Sequence, residues 1–392
     1  MASSTDKFRN MILGGSFSSY DRYSMIKRID VIAGSIPLTK TEPEQLWVDE
    51  WSNQIFVKLQ TDDGLTGWGE VLPAAGNSRE PYIALINRIK GNLIGKDETD
   101  YRSLWNIMRK MTFSGGYGIT TGAISGVDIA LWDILGKRTK LPICKLLGSP
   151  ISRVKRYVSL SRYKRPNDLQ ELFKNLLSAG YKAIKLHQSS SDTLESVRTV
   201  RKEFGNNFEL MVDLNCGYSY SNARNFMIQA QRYELKWIEE PLWPPDDFES
   251  LAKLNKLGPV AAGENFFSVY DFKRLLEKDA LSYYQPDVAK IGGITPMVEL
   301  LHLLEAYQAN IAFHNRPHNG WIGTCASSHI ASVAKIDCII ETPPNEIPIE
   351  YFTLYPEITK NEIQVTGPGL GISLAEPVPE SSASKLLKFH EI

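Results

Sequence analysis

The chain has 392 residues, of which 43% are hydrophobic and 23% are charged, and its formal net charge is -1. This length predicts about two or three domains with a substantial core, and the composition is that of an ordinary globular protein. The near-neutral charge excludes proteins that depend on a broad basic surface, so neither nucleic acid nor an anionic membrane is expected as a partner.

The cysteines and the N-terminus indicate the compartment. No CxxC pair occurs, so neither a disulfide framework nor a zinc knuckle is predicted from Cys144, Cys216, Cys325 and Cys338. The first residues lack the apolar segment of a secretory signal, and no stretch approaches the roughly 18 apolar residues of a membrane span. We therefore expect a soluble cytoplasmic protein, with residues 1–24 as an N-terminal extension that is either flexible or an oligomer contact.

The first organised segment is "IFVKLQTDDGLTGWGEV", in which apolar and polar residues roughly alternate on both sides of an Asp63–Gly64 turn. This pattern predicts a β-hairpin. Helical periodicity follows from about Glu80 and ends in "GAISGVDIALWDILGKRTKLPICKLLG" before a stop marked by Gly and Pro. Residues 25–145 are therefore predicted to form an α+β capping domain.

From about residue 153 short apolar runs alternate with helical patterns. Eight strand candidates of this kind predict parallel βαβ units that close into a modified (β/α)8 barrel over residues 146–345. The Pro- and Gly-rich residues 346–392 are expected to return to the capping domain. The eight runs are "RVKRYVSL", "YKAIKLHQ", "FELMVDLN", "LKWIEEP", "GPVAAGEN", "SYYQPDVAK", "NIAFHN" and "DCIIETP".

Polar residues end most of these runs at a regular interval of 23 to 27 residues, which is about one βα unit. Equivalent positions at the carboxyl ends of neighbouring barrel strands form the rim on which active sites are found. The residues are His187, Asp213, Glu239, Glu264, Asp287, His314 and Glu341.

The run "LKWIEEP" raises a specific question, because an apolar strand ends on two adjacent carboxylates. A position at the barrel mouth explains Glu239, since a carboxylate there can pair with a metal. Pro241 would end the strand after its ladder bonds are made. Glu240 would point to the other side, because side chains alternate along a strand.

Three carboxylates on consecutive strands, Asp213, Glu239 and Glu264, would repel one another without a positive partner. An all-oxygen donor set favours Mg²⁺ over zinc and leaves positions for water or substrate. For any one of these residues, the ordinary alternative is a cap for the following helix.

Basic groups are predicted on both flanks of that site. Asp287 beside His314 would hold a general base in one tautomer, although a histidine satisfied in the core is the usual alternative. Lys185 and His187 face one side of the second strand, where a buried ammonium is costly unless it is used. Glu341 would donate a hydrogen bond if protonated, and a solvent-exposed glutamate explains it equally.

Taken in order, "VDLN", "WIEEP", "AAGEN", "QPDVAKIGG" and "AFHN" resemble the enolase superfamily, specifically its mandelate racemase-like branch. The resemblance extends from Met25 to the tail. It implies one Mg²⁺ per subunit on Asp213, Glu239 and Glu264, and a homo-oligomer. It also implies Asp287 and His314 as the catalytic dyad, Lys185 on the opposite face, and Glu341 as a hydrogen-bond donor to the substrate carboxylate. His187 is added as a catalytic candidate from its place beside Lys185.

One departure from the family pattern concerns the reaction. His187 stands where the racemase-type pattern has a second lysine, which makes racemisation by two strong opposed bases less favoured. The resemblance to archaeal pentonate dehydratases implies dehydration of an aldonic acid, foremost D-arabinonate, to a 2-keto-3-deoxy acid. That reaction removes the α-proton, forms an enediolate stabilised by the metal, and eliminates the β-hydroxyl as water.

Several alternatives remain open at this point. The substrate can be another sugar acid such as gluconate, galactonate or fuconate, and the reaction can be racemisation or cycloisomerisation. A non-catalytic, metal-dependent binding protein is the more distant alternative. Specificity is expected from the loops "PLTKTEPEQLWVDEW" and "LPAAGNSRE", with Arg316 and His318 either touching substrate hydroxyls or shaping their loop.

Overall fold

The computed structural model describes residues 24–34, 45–46, 54–73, 79–160, 162–163, 168–187, 192–315, 320–344, 347–375 and 390–391. The predicted N-terminal extension, apart from Ser24, lies outside the described residues. Arg316, His318 and much of the two predicted specificity loops also lie outside them, so the structure does not bear on their predicted roles.

The N-terminal domain is an antiparallel sheet covered by helices. Strands β3 and β4 form the predicted hairpin, and Gly64 at its turn has a φ of +96°, which favours glycine. The elements are β1 (Ile26–Gly34), β2 (Gln45–Leu46), β3 (Gln54–Thr61), β4 (Thr66–Val71), α1 (Glu80–Lys90), α2 (Tyr101–Thr112) and α3 (Ile119–Thr139). The N-terminal domain consists of β1, β3, β4 and α1–α3.

Helix α3 is long and apolar enough to cross a membrane, the one such helix in the part of the chain that the structure describes. However, 89% of its most apolar window is buried inside the protein. Gly126 of α3 lies so close to β3 and β4 that a Cβ there would press on Val57 and Val71. The apolar composition of α3 thus reflects a core helix packed on the sheet.

Eight parallel strands form a closed barrel, as the sequence predicts. Their order is β5-β7-β8-β9-β10-β11-β12-β13, and β13 pairs with β5 to close the ring. The elements are α4 (Ile143–Leu146), β5 (Val154–Ser159), β6 (Arg162–Tyr163), α5 (Asp168–Ser178), β7 (Ala183–Leu186), α6 (Thr193–Phe204), β8 (Glu209–Asp213), α7 (Tyr220–Ala230), β9 (Ile238–Glu239), α8 (Phe248–Asn255), β10 (Val260–Ala262), α9 (Val269–Glu277), β11 (Tyr283–Tyr284), α10 (Ile294–Ala306), β12 (Asn310–Phe313), α11 (Trp321–Val333) and β13 (Cys338–Thr342).

A compact apolar cluster fills the inside of the barrel below the predicted rim. Trp237 packs edge-on against Tyr157 at 5.2 Å between ring centroids and contacts Tyr283 at 4.9 Å. Both Trp237 and Tyr157 are fully buried. The barrel interior is therefore solid at this level, and polar chemistry is confined to the carboxyl ends of the strands.

The remaining described elements connect the barrel to the N-terminal domain. They are β14 (Phe352–Leu354), β15 (Glu357–Ile358), β16 (Glu362–Gln364), β17 (Ser373–Leu374) and β18 (His390–Glu391). Separate 3₁₀ turns lie at 113–115, 231–233 and 349–351. Strand β16 pairs with the start of β5, whereas β18 pairs with β1. Asp133 of α3 accepts a hydrogen bond from the Leu370 amide at 2.9 Å.

Substitution of the buried His329 is expected to flatten the loss of stability in acid. Burial on α11 lowers the pKa of His329 to about 4. An unfolded histidine takes up its proton near pH 6.5, so between pH 6.5 and about pH 4 the unfolded state binds more protons, and the unfolding free energy decreases as the pH is lowered. Between pH 7 and pH 4 the wild type should lose roughly 3 kcal/mol more unfolding free energy than His329→Gln.

Urea unfolding at the two pH values measures this difference. His302→Gln, which changes an exposed histidine on α10, is the control and should follow the wild type. Parallel losses in all three proteins would show that His329 takes up its proton without unfolding.

Candidate active site

The predicted rim residues meet at the carboxyl-terminal mouth of the barrel. Strands β8 and β9 end on Asp213 and Glu239, and Lys185 and Glu341 lie within β7 and β13. Glu264, Asp287, His187 and His314 follow their strands by one to three residues. Glu341 is fully buried, so the alternative of a solvent-exposed glutamate is wrong.

Lys185 lies among three of the carboxylates. Its Nζ is 2.5 Å from Glu239 Oε1, 2.8 Å from Glu341 Oε1 and 3.3 Å from Asp213 Oδ2. The side chain is fully buried, and burial alone would lower the lysine pKa, but the surrounding carboxylates raise that pKa well above its usual value. In this arrangement Lys185 is an ammonium ion.

One lysine does not balance three buried carboxylates. Burial, together with the charges of Asp213 and Glu341, raises the pKa of Glu239 well above its usual range. Burial opposes ionisation of Glu341 too, yet Lys185 and the two histidines lower its pKa. Glu341 is therefore ionised here, in contrast to the protonated donor considered from the sequence.

His187 lies on the same side as Lys185. Its Nε2 is 2.7 Å from Asp213 Oδ2, and its Nδ1 is 2.9 Å from the Leu160 carbonyl and 3.1 Å from Ser159 Oγ. A carbonyl only accepts hydrogen bonds, so Nδ1 carries hydrogen. Because Nε2 also faces an acceptor, His187 is suited to donating a proton at the mouth of the barrel.

Asp287 and His314 form the predicted dyad. The Nδ1 of His314 is 2.6 Å from Asp287 Oδ2, and its Nε2 is 2.8 Å from Glu264 Oε2. Burial alone would lower the His314 pKa, but Glu264, Asp287 and Glu341 raise it well above its usual value. The Asp287 contact fixes Nδ1 as a donor, so Nε2 is the atom that exchanges protons.

Glu264 has a second cationic partner that the sequence did not single out. Lys290 Nζ lies 3.0 Å from Glu264 Oε2. Burial alone would raise the Glu264 pKa, but His314 and Lys290 lower it well below its usual range. The available signal was Lys290 itself, a lysine three residues after Asp287 in "QPDVAKIGG".

Two further side chains that the sequence left unassigned orient Glu239. Trp237 Nε1 donates to Glu239 Oε2 at 3.0 Å, and Gln285 Nε2 donates to the same oxygen at 2.6 Å. Trp237 precedes Glu239 by two positions and Gln285 precedes Asp287 by two. The period of the strand run "LKWIEEP" could have indicated Trp237, because residues two apart share a face, whereas Gln285 and Asp287 both follow β11.

The expectation that Glu240 points away from the site is wrong. Strand β9 ends at Glu239, and Glu240 has a φ of +40°, so strand alternation no longer applies. The Glu240 carboxylate accepts hydrogen bonds from Asn265 Nδ2 at 2.7 Å and Cys216 Sγ at 3.2 Å. Burial, reinforced by Glu264 and Asp213, raises its pKa to about 8.

The donor set fits a hard divalent cation. Within the described ranges no three His, Cys, Asp or Glu side chains are arranged as a metal cluster, because lysine and histidine nitrogens face the carboxylates instead. Nevertheless, the site gathers more buried carboxylates than lysines, and burial together with the charges of Asp213 and Glu341 raises the pKa of Glu239. Oxygen donors with surplus negative charge favour Mg²⁺.

Family models cover both domains of the chain. Residues 168–378 match the model described as "Enolase C-terminal domain-like". Residues 29–148 match the model "Mandelate racemase / muconate lactonizing enzyme, N-terminal domain".

A curated relative and two solved structures are similar to this chain. The D-galactonate dehydratase of Ralstonia pickettii is 33% identical over an alignment of 273 residues that covers 66% of this chain and 71% of the relative. A structure of L-talarate dehydratase from Polaromonas sp. JS666, complexed with Mg and L-glucarate, is 27% identical with a TM-score of 0.76, covering 91% of this chain and 96% of the other. The 3,6-anhydro-D-galactonate cycloisomerase of Zobellia galactanivorans is 28% identical with a TM-score of 0.76, covering 90% and 97%.

The two solved structures cover at least 90% of this chain, and the three relatives differ in reaction, one being named a cycloisomerase and two being named dehydratases. The comparisons therefore agree on the family, but they do not identify one reaction for this chain. By its two matched domains, its closed barrel and its sequence relatives, the chain belongs to the mandelate racemase/muconate lactonizing enzyme family of the enolase superfamily.

Proposed function

We propose that this protein is a Mg²⁺-dependent dehydratase of an aldonic acid, which it converts to a 2-keto-3-deoxy acid. The observation that carries the proposal is the presence of proton-transfer groups on two separated strands flanking three carboxylates. Counting around the barrel from β7, which carries Lys185, strand β12 is three steps away in one direction and five in the other. His187 and His314 therefore approach a substrate at the mouth from nearly opposite sides.

Asp213, Glu239 and Glu264 are the residues that would hold the metal. Mg²⁺ supplies Lewis-acid stabilisation for the negative charge that develops when a proton leaves the carbon next to a carboxylate. The contact between Glu264 and His314 Nε2 gives this assignment a further consequence. When Glu264 shares its charge with a cation, its influence on His314 weakens, and the His314 pKa moves down toward the range of a general base.

We assign His314 as the base that takes the C2 proton on Nε2, with Asp287 holding the imidazolium that results. His187, on the opposite flank, gives a proton to the C3 hydroxyl, which leaves as water as the C3–O bond breaks. The enol product gives up its C2 hydroxyl proton as it takes up a proton at C3, which yields the ketone. His314 then releases the C2 proton to solvent and His187 takes one up, so the net change is loss of one water. Lys185, an ammonium ion among Glu239, Glu341 and Asp213, serves as a fixed positive charge for the substrate carboxylate.

The identity of the sugar acid is a narrower proposal. The resemblance of the sequence supports D-arabinonate, and the name of the 33% identical relative supports D-galactonate. A cycloisomerase of an anhydro-sugar acid is the second candidate, because one solved relative has that activity. Replacement of the second lysine by His187 favours dehydration, since an acid is needed on that flank.

The experiment is a screen of purified protein with Mg²⁺ against pentonates, hexonates and hexarates, including D-arabinonate, D-galactonate, L-talarate and 3,6-anhydro-D-galactonate. Colorimetric detection of 2-keto-3-deoxy acids identifies dehydration, and proton NMR in D₂O identifies exchange at C2. Keto-acid formation that requires Mg²⁺ supports the proposal. Deuterium uptake or ring opening without a keto-deoxy product would replace it with racemisation or cycloisomerisation.

Two predictions about the whole protein stay predictions. We expect a homo-oligomer, which light scattering of the purified protein tests, and a cytoplasmic location, which fractionation of the source cells tests.

A further inference from the structure

We propose that the N-terminal domain positions the Asp287–His314 dyad by capping, from outside the barrel, the two helices that follow the dyad strands. Asp128 and Glu70 are the positioning residues. Neither belongs to the barrel, and their hydrogen bonds described below go to the N-termini of α10 and α11.

The barrel helices after the three carboxylate strands are capped by their own residues. Helix α7 follows β8, and its N-cap Ser219 accepts a hydrogen bond from Asn222 N. Helix α8 follows β9, and Asp247 accepts from Ser250 N at 3.0 Å. Helix α9 follows β10, and Ser268 accepts from Asp271 N at 3.2 Å. Each of these helix N-termini therefore has a capping side chain from its own N-cap residue.

Helix α10, which follows the Asp287 strand, has no such local cap. Its N-cap is Gly293, which offers no side chain. Instead, Asp128 of α3 accepts from Thr295 N at 2.9 Å and from Thr295 Oγ1 at 2.6 Å. Asp128 is fully buried and lies 167 residues away in sequence. The N-terminal domain therefore supplies the carboxylate that a helix N-terminus favours.

Helix α11, which follows the His314 strand, shows the same arrangement. Its N-cap is Gly320, again without a side chain. Glu70 of β4 accepts from Gly323 N at 3.1 Å across 253 residues of sequence. Gln54 on β3 donates to the other Glu70 oxygen at 3.0 Å and so orients the carboxylate.

Further contacts from the N-terminal domain hold the segment that joins Asp287 to α10. Ser125 Oγ accepts from Gly292 N at 2.9 Å, and Trp105 Nε1 donates to Gly292 O at 2.9 Å. Gly293 has a φ of +98°, and a Cβ there would clash with the Asp128 carboxylate. The backbone of this segment is thus fixed against the N-terminal domain.

The distance from these contacts to the dyad is short along the chain. Gly293 follows Asp287 by six residues (293 − 287), and Gly320 follows His314 by six (320 − 314). Backbone amides of Lys290 and Ile291 donate to the Asp287 carbonyl at 3.1 and 3.0 Å, which makes the segment one compact turn. A shift of the α10 N-terminus therefore changes the 2.6 Å contact between Asp287 and His314.

The kinetic part of this inference rests on the proposed function, so the test includes a measurement that needs no substrate. The Nδ1 proton of His314, held in a short bond to Asp287, should give a strongly deshielded proton resonance in protein labelled with ¹⁵N-histidine. The chain has six histidines, so His314→Gln assigns the resonance.

The test compares Asp128→Ala with Asp247→Ala in the full-length protein. Both changes remove the capping carboxylate of one barrel helix, but only Asp128 caps a helix that follows a dyad strand. Asp128→Asn and Glu70→Gln retain one accepting oxygen and serve as conservative variants. Trp105→Phe removes a single donor to Gly292 and provides a milder variant if Asp128→Ala does not fold.

We expect Asp128→Ala to broaden or shift the His314 resonance and to lower kcat about 10-fold with KM changed less than 2-fold. Asp128→Asn should be closer to the wild type than Asp128→Ala in both the His314 resonance and kcat. Trp105→Phe should alter the resonance and lower kcat, as Asp128→Ala does, but by less. Asp247→Ala should lower the Tm while leaving the resonance and kcat at wild-type values.

An unchanged resonance in Asp128→Ala and Trp105→Phe, with only the Tm lowered, would overturn the inference. Equal effects of Asp128→Ala and Asp247→Ala on the resonance would also overturn it, because capping in general would then be responsible. If no sugar acid is dehydrated by the wild type, the proposed function fails while the resonance still decides this inference.

Discussion

Replacing His314 with asparagine is expected to lower kcat on the order of 10³-fold while substrate affinity stays within a few-fold of the wild type. Asparagine can still donate to Asp287, which His314 contacts at 2.6 Å, so the pocket keeps its shape. It cannot take a proton from C2. Steady-state kinetics with the substrate found in the screen, combined with calorimetric titration of the same compound, measures the two effects separately.

His302→Asn is the matched control for this prediction, because it makes the same change at an exposed position on α10. It should keep wild-type kcat. Substantial turnover by His314→Asn would assign proton removal to the opposite flank, where Lys185 and His187 lie. Loss of substrate binding together with turnover would instead identify His314 as a binding residue.

Glu239→Gln is expected to weaken Mg²⁺ binding at least about 100-fold, since removal of residues that only support metal ligands already costs 10- to 100-fold. The glutamine keeps the size of the side chain and an oxygen that can accept from Trp237 or Gln285. It removes a charge from a cluster in which Asp213 and Glu341 already raise the Glu239 pKa. Isothermal titration with MgCl₂ measures the change without any substrate.

The same substitution should have the opposite effect on stability when Mg²⁺ is chelated. Without the metal, glutamine relieves repulsion among buried carboxylates, so the Tm of Glu239→Gln in EDTA should exceed that of the wild type. With saturating Mg²⁺ the order should reverse, because binding stabilises only the protein that binds tightly. Glu357→Gln, at an exposed position, should behave as wild type in both conditions. Identical Mg²⁺ affinities for wild type and Glu239→Gln would exclude Glu239 as a ligand.

The barrel and its polar mouth could be predicted from the sequence because one βα unit repeats about every 26 residues. Each apolar run is short enough to be a buried strand, and Asp213, Glu239 and His314 each come at its end. Parallel strands align their carboxyl ends, so the repeat alone brings these residues to one rim. No knowledge of their neighbours is required for that step.

The contacts among the side chains could not be predicted in the same way. Glu240 has a φ of +40°, a backbone conformation that strand periodicity does not predict. It places a second carboxylate where the charges of Glu264 and Asp213 act on it. Lys290 lies in a loop rather than a strand, so no periodicity indicates that its ammonium reaches Glu264. Both depend on how loops close over the mouth.

Sequence patterns also do not predict how the N-termini of α10 and α11 are capped. A helix start is usually recognised by a capping side chain next to it, but Gly293 and Gly320 carry none. Their partners, Asp128 and Glu70, lie in another domain and read as ordinary polar positions of a helix and a hairpin. Only the packing of the two domains brings them together.

Closure of the barrel between β13 and β5 has a consequence for protein synthesis. Glu341 on β13 reaches Lys185 on β7 across β5, which is the first barrel strand of the chain. A ribosome that has translated past Glu264 has made all three carboxylates, yet β5 still lacks its last neighbour. Until β13 emerges, the nascent barrel exposes the unpaired edges of two buried strands. The protein should therefore depend on chaperones late in translation, and prematurely terminated chains should aggregate rather than accumulate as partly active fragments.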